Sequence, residues 1–353
     1  MRPRSRNEFE IAIICALPLE ADAVEALFDE HYDELDHIYG KQVGDTNTYT
    51  TGRISGHHVV LAFMPGMGNR ISASVARGLQ ISFTGIKLAL VVGICGGVPH
   101  SSDGTEIILG DVIISDSVIE YDFGRQYPDG FQRKVGVNET LGHPNQEIRS
   151  FLNRLRTRRM RVQVQKQTAQ HLKDLREREG SEWNYPGVLQ DMLFDASYRH
   201  KHYQKHSVDG CICADCHCSQ DPVCQQALKT DCYSLGCTGQ LIPRHRLGKD
   251  SPETFIHIGT IASANTVMKS GEHRDKVAET EGVIGFEMEG AGVWDNLPSI
   301  VIKGVCDYAD SHKNKIWQNY AAACAACCTK AFLGYWKSAL HEGDFSKFFK
   351  VTY

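Results

Sequence analysis

The sequence predicts an α/β protein, and three observations carry that reading. Runs of branched apolar residues such as Leu88 to Val92 and Ser299 to Lys303 have the length and make-up of strands buried on both faces of a parallel sheet. Two acid-bearing stretches, Phe286-Glu287-Met288-Glu289-Gly290 and Gly304-Val305-Cys306-Asp307-Tyr308-Ala309-Asp310, stand where such strands end. Between about Asn145 and Ser251 the alternation of strand and helix stops, and mixed charge and clustered cysteine replace it.

Taken in order, Phe9 to Ala16 reads as a strand. Glu20 to Glu30 reads as a helix with apolar spacing at Ala21, Val24, Leu27 and Phe28, entered at Pro18, where the missing N–H costs nothing. Tyr49 to Gly52 and His58 to Phe63 read as paired strands, and Asn69 to Ala76 as a helix after a Gly66-Met67-Gly68 turn. Leu88 to Val92 leads into a glycine turn at Val91-Val92-Gly93-Ile94-Cys95-Gly96-Gly97, and Asp111 to Ser115 forms another strand. In the middle segment, Arg154, Arg156, Arg158, Arg159 and Arg161 form a basic run that either meets phosphate or is the solvated face of a helix. Phe151, Leu152 and Leu155 share its spacing and favour the helix. Regular order resumes at Phe255 to Ser263. The glutamates of the 286–290 stretch precede a helix starting near Ala291, and the alanine-rich Trp317 to Trp336 suits a helix packed closely on the sheet.

A chain of 353 residues can bury a large core, and one domain with an insertion accounts for it as well as two domains. The formal net charge of −5 provides no electrostatic footprint for nucleic acid. No run of about 18 apolar residues is present, and Met1-Arg2-Pro3-Arg4-Ser5-Arg6 is not followed by a signal-type apolar stretch. The expectation is a soluble, cytoplasmic protein with neither a nucleic-acid nor a membrane partner. Six of the thirteen cysteines, Cys15, Cys95, Cys306, Cys324, Cys327 and Cys328, fall within apolar elements and read as small core residues.

The two acidic stretches, the Val91 to Gly97 glycines and the segment Ile11 to Val24 together resemble the nucleoside phosphorylase and nucleosidase superfamily, whose members break the bond between a base and ribose. The resemblance covers roughly residues 8–145 and 255–340. It implies a three-layer α/β/α sandwich around a mixed, twisted sheet. It also implies one catalytic domain over 1–345, interrupted by a variable, lid-like insertion at 145–252, and a homo-oligomer. Breaking an N-glycosidic bond requires a proton for the departing base, support for a positively charged ribose and a base that activates the nucleophile. Asp307, a carboxyl at a buried strand end, suits the first task, because desolvation can keep such a group protonated. Glu289 suits the ribose hydroxyls, with Met288 as a soft contact. Glu287 either joins the substrate or caps the helix that follows.

Ala12-Ile13-Ile14-Cys15-Ala16-Leu17-Pro18-Leu19-Glu20 resembles the methylthioadenosine nucleosidase segment whose final Glu activates water, so Glu20 is the general base by that resemblance. By itself it also reads as a first-turn acid favoured by the helix dipole. In the phosphorylases of the family, arginines hold phosphate; here Val91 stands at one such place, which favours hydrolysis over phosphorolysis. Asn265 to Met268 match the region that contacts the purine edge, with Val267 as the contact, and Gly66 and Gly93 match positions bordering the site. Lys303 takes the place of an arginine near the ribose, and Ile94 that of a small polar residue supporting the aspartate. Ser311-His312-Lys313-Asn314-Lys315 either binds a 5′ phosphate or is a solvated loop.

The resemblance therefore implies a purine N-ribosyl hydrolase acting on a small-molecule nucleoside or nucleotide, with adenine as the base and ATP among the candidates. It needs no cofactor for catalysis. A phosphate-dependent phosphorylase, drawing on Arg70 or a neighbouring subunit, and a non-catalytic nucleoside sensor are the alternatives. Similar modules in fungi stand at the front of larger immune-receptor-like proteins. The remaining cysteines, Cys211, Cys213, Cys216, Cys218, Cys224, Cys232 and Cys237, with His202, His206 and His217 nearby, are compatible with a structural zinc site or with free thiols in a variable loop.

Overall fold

A computed structural model of the chain describes residues 2–33, 39–135, 141, 144–203, 211–218, 221–248 and 253–337. His206 and residues 338–345 of the expected catalytic domain lie outside the described residues.

The amino-terminal half of the sheet is built from β1 (Ile11–Cys15), β2 (Glu30–His31), β3 (Thr48–Ile54), β4 (His57–Phe63) and β5 (Leu88–Gly97). Beyond it come β6 (Val112–Glu120), the separate hairpin β7 (Gly124–Tyr127) and β8 (Gly130–Arg133), β9 (Ile256–Ser263), β10 (Val283–Glu287) and β11 (Ser299–Asp307). Nine strands form one mixed sheet in the order β10-β9-β6-β11-β5-β1-β4-β3-β2. At its centre, β1, β4, β5 and β11 run parallel and are apolar almost throughout, as buried parallel strands must be.

The sheet also turns back on itself. β10 pairs antiparallel with the end of β5 through Gly285–Gly97 and Phe286–Gly96, which joins β5, β11, β6, β9 and β10 into a closed ring. Glycine at three of those four positions allows the backbones to approach, since a Cβ on Gly97 would lie 2.6 Å from Val305 and one on Gly285 2.8 Å from Ile113.

The helices are α1 (Pro18–Glu25), α2 (Asn69–Ser82), α3 (Gln146–Arg156), α4 (Arg158–Glu179), α5 (Cys232–Leu235), α6 (Gly271–Glu281), α7 (Gly290–Trp294) and α8 (Gln318–Tyr335). On β11, Gly304 turns toward Ala321 of α8. Val301, three residues earlier and therefore on the opposite face, meets Gly290 of α7. Helices α1 and α4 gather around α8, and α2 packs on α7, which gives the layers expected of the α/β sandwich.

Two sequence expectations change. The glycines of 93–97 make no turn, because β5 continues through them. Residues 146–179, expected to open the insertion, are instead two helices of the main core. Ile148, Phe151, Leu152 and Leu155 of α3 are buried, as are Met160, Val164, Leu172 and Leu175 of α4, while Arg154, Arg156, Arg158 and Arg159 form a solvated face. Only the cysteine-rich part has a core of its own, centred on Cys213, Ala227 and Leu235.

Candidate active site

A cavity of about 690 Å³ opens where β1, β10 and β11 end and β5 completes its last residues. Its floor includes Glu20, Glu287, Glu289 and Asp307, and its walls include Ile94, Cys95, Met67 and Met288. The cysteine-rich insertion supplies a further wall through His200, Leu228, Lys229, Thr230 and Asp231.

Glu20 lies in the first turn of α1, and three backbone N–H groups hold its carboxylate. Oε2 accepts from the N–H groups of Ala16 and Leu17 at 2.9 Å, and Oε1 accepts from the N–H of Ile94 at 2.8 Å. The last contact requires Gly93, where a Cβ would stand 2.0 Å from Oε1. Gly96 makes the same kind of room for Asp307, whose Oδ1 would lie 2.8 Å from a Cβ there. Two strand glycines thus admit two acids from neighbouring elements.

Lys303 enters from the middle of β11 and is wholly buried. Its ammonium is 3.0 Å from Glu289 Oε2, 3.9 Å from Glu287 Oε2 and 4.0 Å from Glu20 Oε1. Burial opposes its charge, but Glu289, Glu20 and Glu287 together hold the lysine above its usual range. Burial raises Glu20, only partly offset by Lys303, and burial with the neighbouring Glu289 pushes Glu287 up to about 7. One cation thus faces three carboxylates, of which Glu287 is poised to take up a proton near neutrality.

Asp307 faces the opposite side of the cavity. Its Oδ1 accepts from the N–H of Ala309 at 2.8 Å and from the Lys313 ammonium at 2.8 Å, and the Cys306 thiol approaches Oδ2 at 3.4 Å. Lys313 is raised despite its burial, chiefly by Asp307. The expectation of a carboxyl isolated by desolvation is therefore replaced by an ion pair.

Residues 10–169 match the model of the phosphorylase superfamily. The sequence is 32% identical over 334 residues to a nucleotide-binding leucine-rich repeat (NLR)-like protein of Hyaloscypha variabilis, an alignment covering 93% of this chain and 29% of that protein. It is 27% identical over 142 residues to a 5′-methylthioadenosine/S-adenosylhomocysteine nucleosidase of Mycobacterium bovis, covering 38% of this chain and 49% of that one. Among solved structures, an S-adenosylhomocysteine nucleosidase from Streptococcus pyogenes shares the fold with a TM-score of 0.53 at 16% identity, over 96% of this chain and 100% of the other. Residues 10–169 thus carry the pattern of the phosphorylase superfamily. The chain spans less than half the length of either curated relative.

The structure gathers most of the sequence-derived candidates. Glu20, Glu287, Met288, Glu289, Asp307 and Val267 line the cavity, and Lys303 lies beneath it. Glu287 also caps α7, accepting from the N–H groups of Glu289 and Gly290, so its two readings coexist. Gly66, Gly93 and Asn265 do not line it. Gly93 serves Glu20, as above. Asn265 accepts from the N–H of Asn69 at 3.0 Å and so closes the start of α2 against residues 263–268. Arg70 is exposed and is not a lining residue.

The superfamily pattern does not reach the insertion residues of the wall. Lys229, Lys269 and Lys315 are exposed lysines at the cavity, and Lys313 belongs to the loop read as either phosphate-binding or solvated. A cluster of lysines scattered over three segments carries no local signal in sequence. Two groups of candidate metal ligands also appear among the described residues, one of His202, Cys211, Cys213 and Cys224 and the other of His200, Cys232 and Cys237. His217 is in neither.

Proposed function

We propose that the chain hydrolyses the N-glycosidic bond of a purine nucleoside or nucleotide. The observation that carries this reading is the charge of the floor: Glu20, Glu287 and Glu289 share the single cation of Lys303. Phosphate held at that face would meet carboxylates, and no arginine lines the cavity among the described residues, whereas neutral water can lie against Glu20 without repulsion.

In the proposed reaction the water oxygen attacks C1′ of the ribose and its proton passes to Glu20, whose raised affinity for protons makes it a stronger base than an ordinary carboxylate. The C1′–N bond breaks toward the purine, which takes a proton at a ring nitrogen from Asp307, that proton having passed to the carboxylate from the Lys313 ammonium, which is left neutral. Glu289, fixed by Lys303, accepts from the ribose hydroxyls and opposes the positive charge that develops on the sugar. Val267 and Met288 supply apolar surface for the base. The exposed Lys229, Lys269 and Lys315 favour an anionic 5′ substituent, which supports adenine nucleotides such as ATP as substrates.

Likeness to part of an NLR-like protein supports a second feature of the proposal, that this segment works as a module of a larger chain. We also read the Cys211–Cys237 segment as holding structural zinc. Incubation with purine nucleosides and nucleotides in phosphate-free buffer tests the reaction. The expected products are free base and a ribose that keeps its original 5′ group. Formation of ribose 1-phosphate only when phosphate is added would make the chain a phosphorylase, and binding of the same compounds without turnover would make it a sensor.

A further inference from the structure

The insertion has too little apolar interior to hold its shape alone. Among the described residues of its cysteine-rich part, Cys213, Cys216, Ala227 and Leu235 are the buried apolar ones, and the regular structure there amounts to single turns and the four residues of α5. All its cysteines are free thiols, although several are close together. Small folds of this kind are commonly held by a metal.

The ligand atoms are already converged. In the first group, His202 Nδ1 is 3.3 Å from Cys211 Sγ and 3.5 Å from Cys224 Sγ, and the four ligand atoms, with Cys213 Sγ, all lie within 4.8 Å of one another. Zinc bonds of about 2.0–2.3 Å in a tetrahedron give ligand-to-ligand edges of about 3.3–3.8 Å, which matches these separations. Backbone donors point at the sulfurs: the N–H of Cys224 at Cys213 Sγ, 3.5 Å, and that of Ala227 at Cys224 Sγ, 3.3 Å. Such donors stabilise thiolates, the form that binds metal.

In the second group, His200 Nδ1 is 3.5 Å from Cys232 Sγ and 3.6 Å from Cys237 Sγ. The other ring nitrogen, Nε2, is 2.8 Å from the carbonyl of Thr230 and donates to it, which leaves Nδ1 as the lone-pair side facing the thiols. A metal-ligating histidine is oriented in just this way. Cys216 and Cys218 belong to neither group, and the Cys216 thiol instead reaches the carbonyls of Cys218 and Asp221.

We propose that the insertion binds two zinc ions, one at His202, Cys211, Cys213 and Cys224 and one at His200, Cys232 and Cys237, and that the second ion fixes the outer wall of the cavity. His200 and Thr230 line that wall with Lys229 and Asp231, and the N–H of His200 donates to Ser311 Oγ at 3.2 Å, on the loop that carries Lys313. An ion joining residue 200 to residues 232 and 237 therefore ties three segments of the wall together. The first site is closed by four protein ligands, as structural zinc sites are, whereas the second leaves one position for water. Neither assignment depends on the reaction proposed above.

Metal analysis of the full chain, purified under reducing conditions without added chelator, is expected to give close to two zinc ions per molecule. The Cys211→Ser/Cys224→Ser and Cys232→Ser/Cys237→Ser variants should each retain one. Cobalt substitution of the wild-type protein, which does not depend on the variants folding, should yield the intense visible absorption of tetrahedral thiolate coordination. Chelation should speed amide exchange at residues 228–231 and 311–315 while the central sheet stays protected. Zinc well below one ion per molecule in reduced, folded protein, with no cobalt–thiolate absorption, overturns both sites. Two ions whose removal leaves exchange at 228–231 unchanged overturns the link to the wall.

Discussion

Carboxylates that do different work should fail differently when neutralised. Glu20→Gln keeps a side chain of the same shape but removes the base, so hydrolysis should fall by about a hundred- to ten-thousand-fold while binding of an unreactive nucleoside analogue, followed by calorimetry, stays measurable. Asp307→Asn should lose a comparable factor with ordinary purines and less with substrates whose base departs easily, because protonation then matters less. Near wild-type turnover by Glu20→Gln would remove the water-activation role. The acids themselves were legible in the sequence because each follows an apolar strand or opens a helix. The position of Lys303 among three of them was not, since residues 20, 287, 289 and 303 become neighbours only through strand order. Lys313 was visible only as one of two lysines in a loop, and its pairing with Asp307 depends on how the chain turns after β11.

At the scale of elements, apolar runs located every long central strand, and the alanine-rich segment became α8 as expected. Gly93 misled because glycine in a sequence signals a turn, whereas here it signals a side chain crossing from another element. Residues 146–179 misled because their exposed faces are so polar that the narrow apolar stripe of α4 was submerged. Close approach also governs α8 and β11. A Cβ on Gly304 would lie 1.9 Å from the carbonyl oxygen of Ala321, so Gly304→Ala must push the helix off the sheet. The expected loss is about 1–3 kcal/mol, read as a lower urea midpoint with an unchanged slope. An unchanged midpoint would mean that α8 shifts freely on β11.

For the whole molecule, the buried carboxylates of the floor link stability to pH. In the unfolded chain Glu287 titrates near 4.3, roughly, whereas the fold holds its proton up to about 7. Between those values the folded state binds more protons, so this contribution is full at the acid end of the window and is lost as pH rises through it. His58, His100, His171 and His312, lowered first by burial, act in the opposite sense over an overlapping range. The difference between wild type and Glu287→Gln isolates the carboxyl: the variant's stability relative to wild type should rise as pH increases from about 5 to about 7.5, measured by urea unfolding. A constant difference would mean that Glu287 titrates alike in the folded and unfolded chain.

The closed ring of β5, β11, β6, β9 and β10 has a kinetic consequence as well. During synthesis, Glu20 and the β5 glycines emerge first, while Glu289 and Lys303 follow Glu20 by 269 and 283 residues and Gly285 of β10 follows its partner Gly97 by 188. Contacts of such long range are slow to form, because the intervening chain must be ordered first. The acid in α1 thus waits without its counter-charge until Lys303 has been made and β11 has joined the sheet, so the charged floor of the cavity is assembled late in folding.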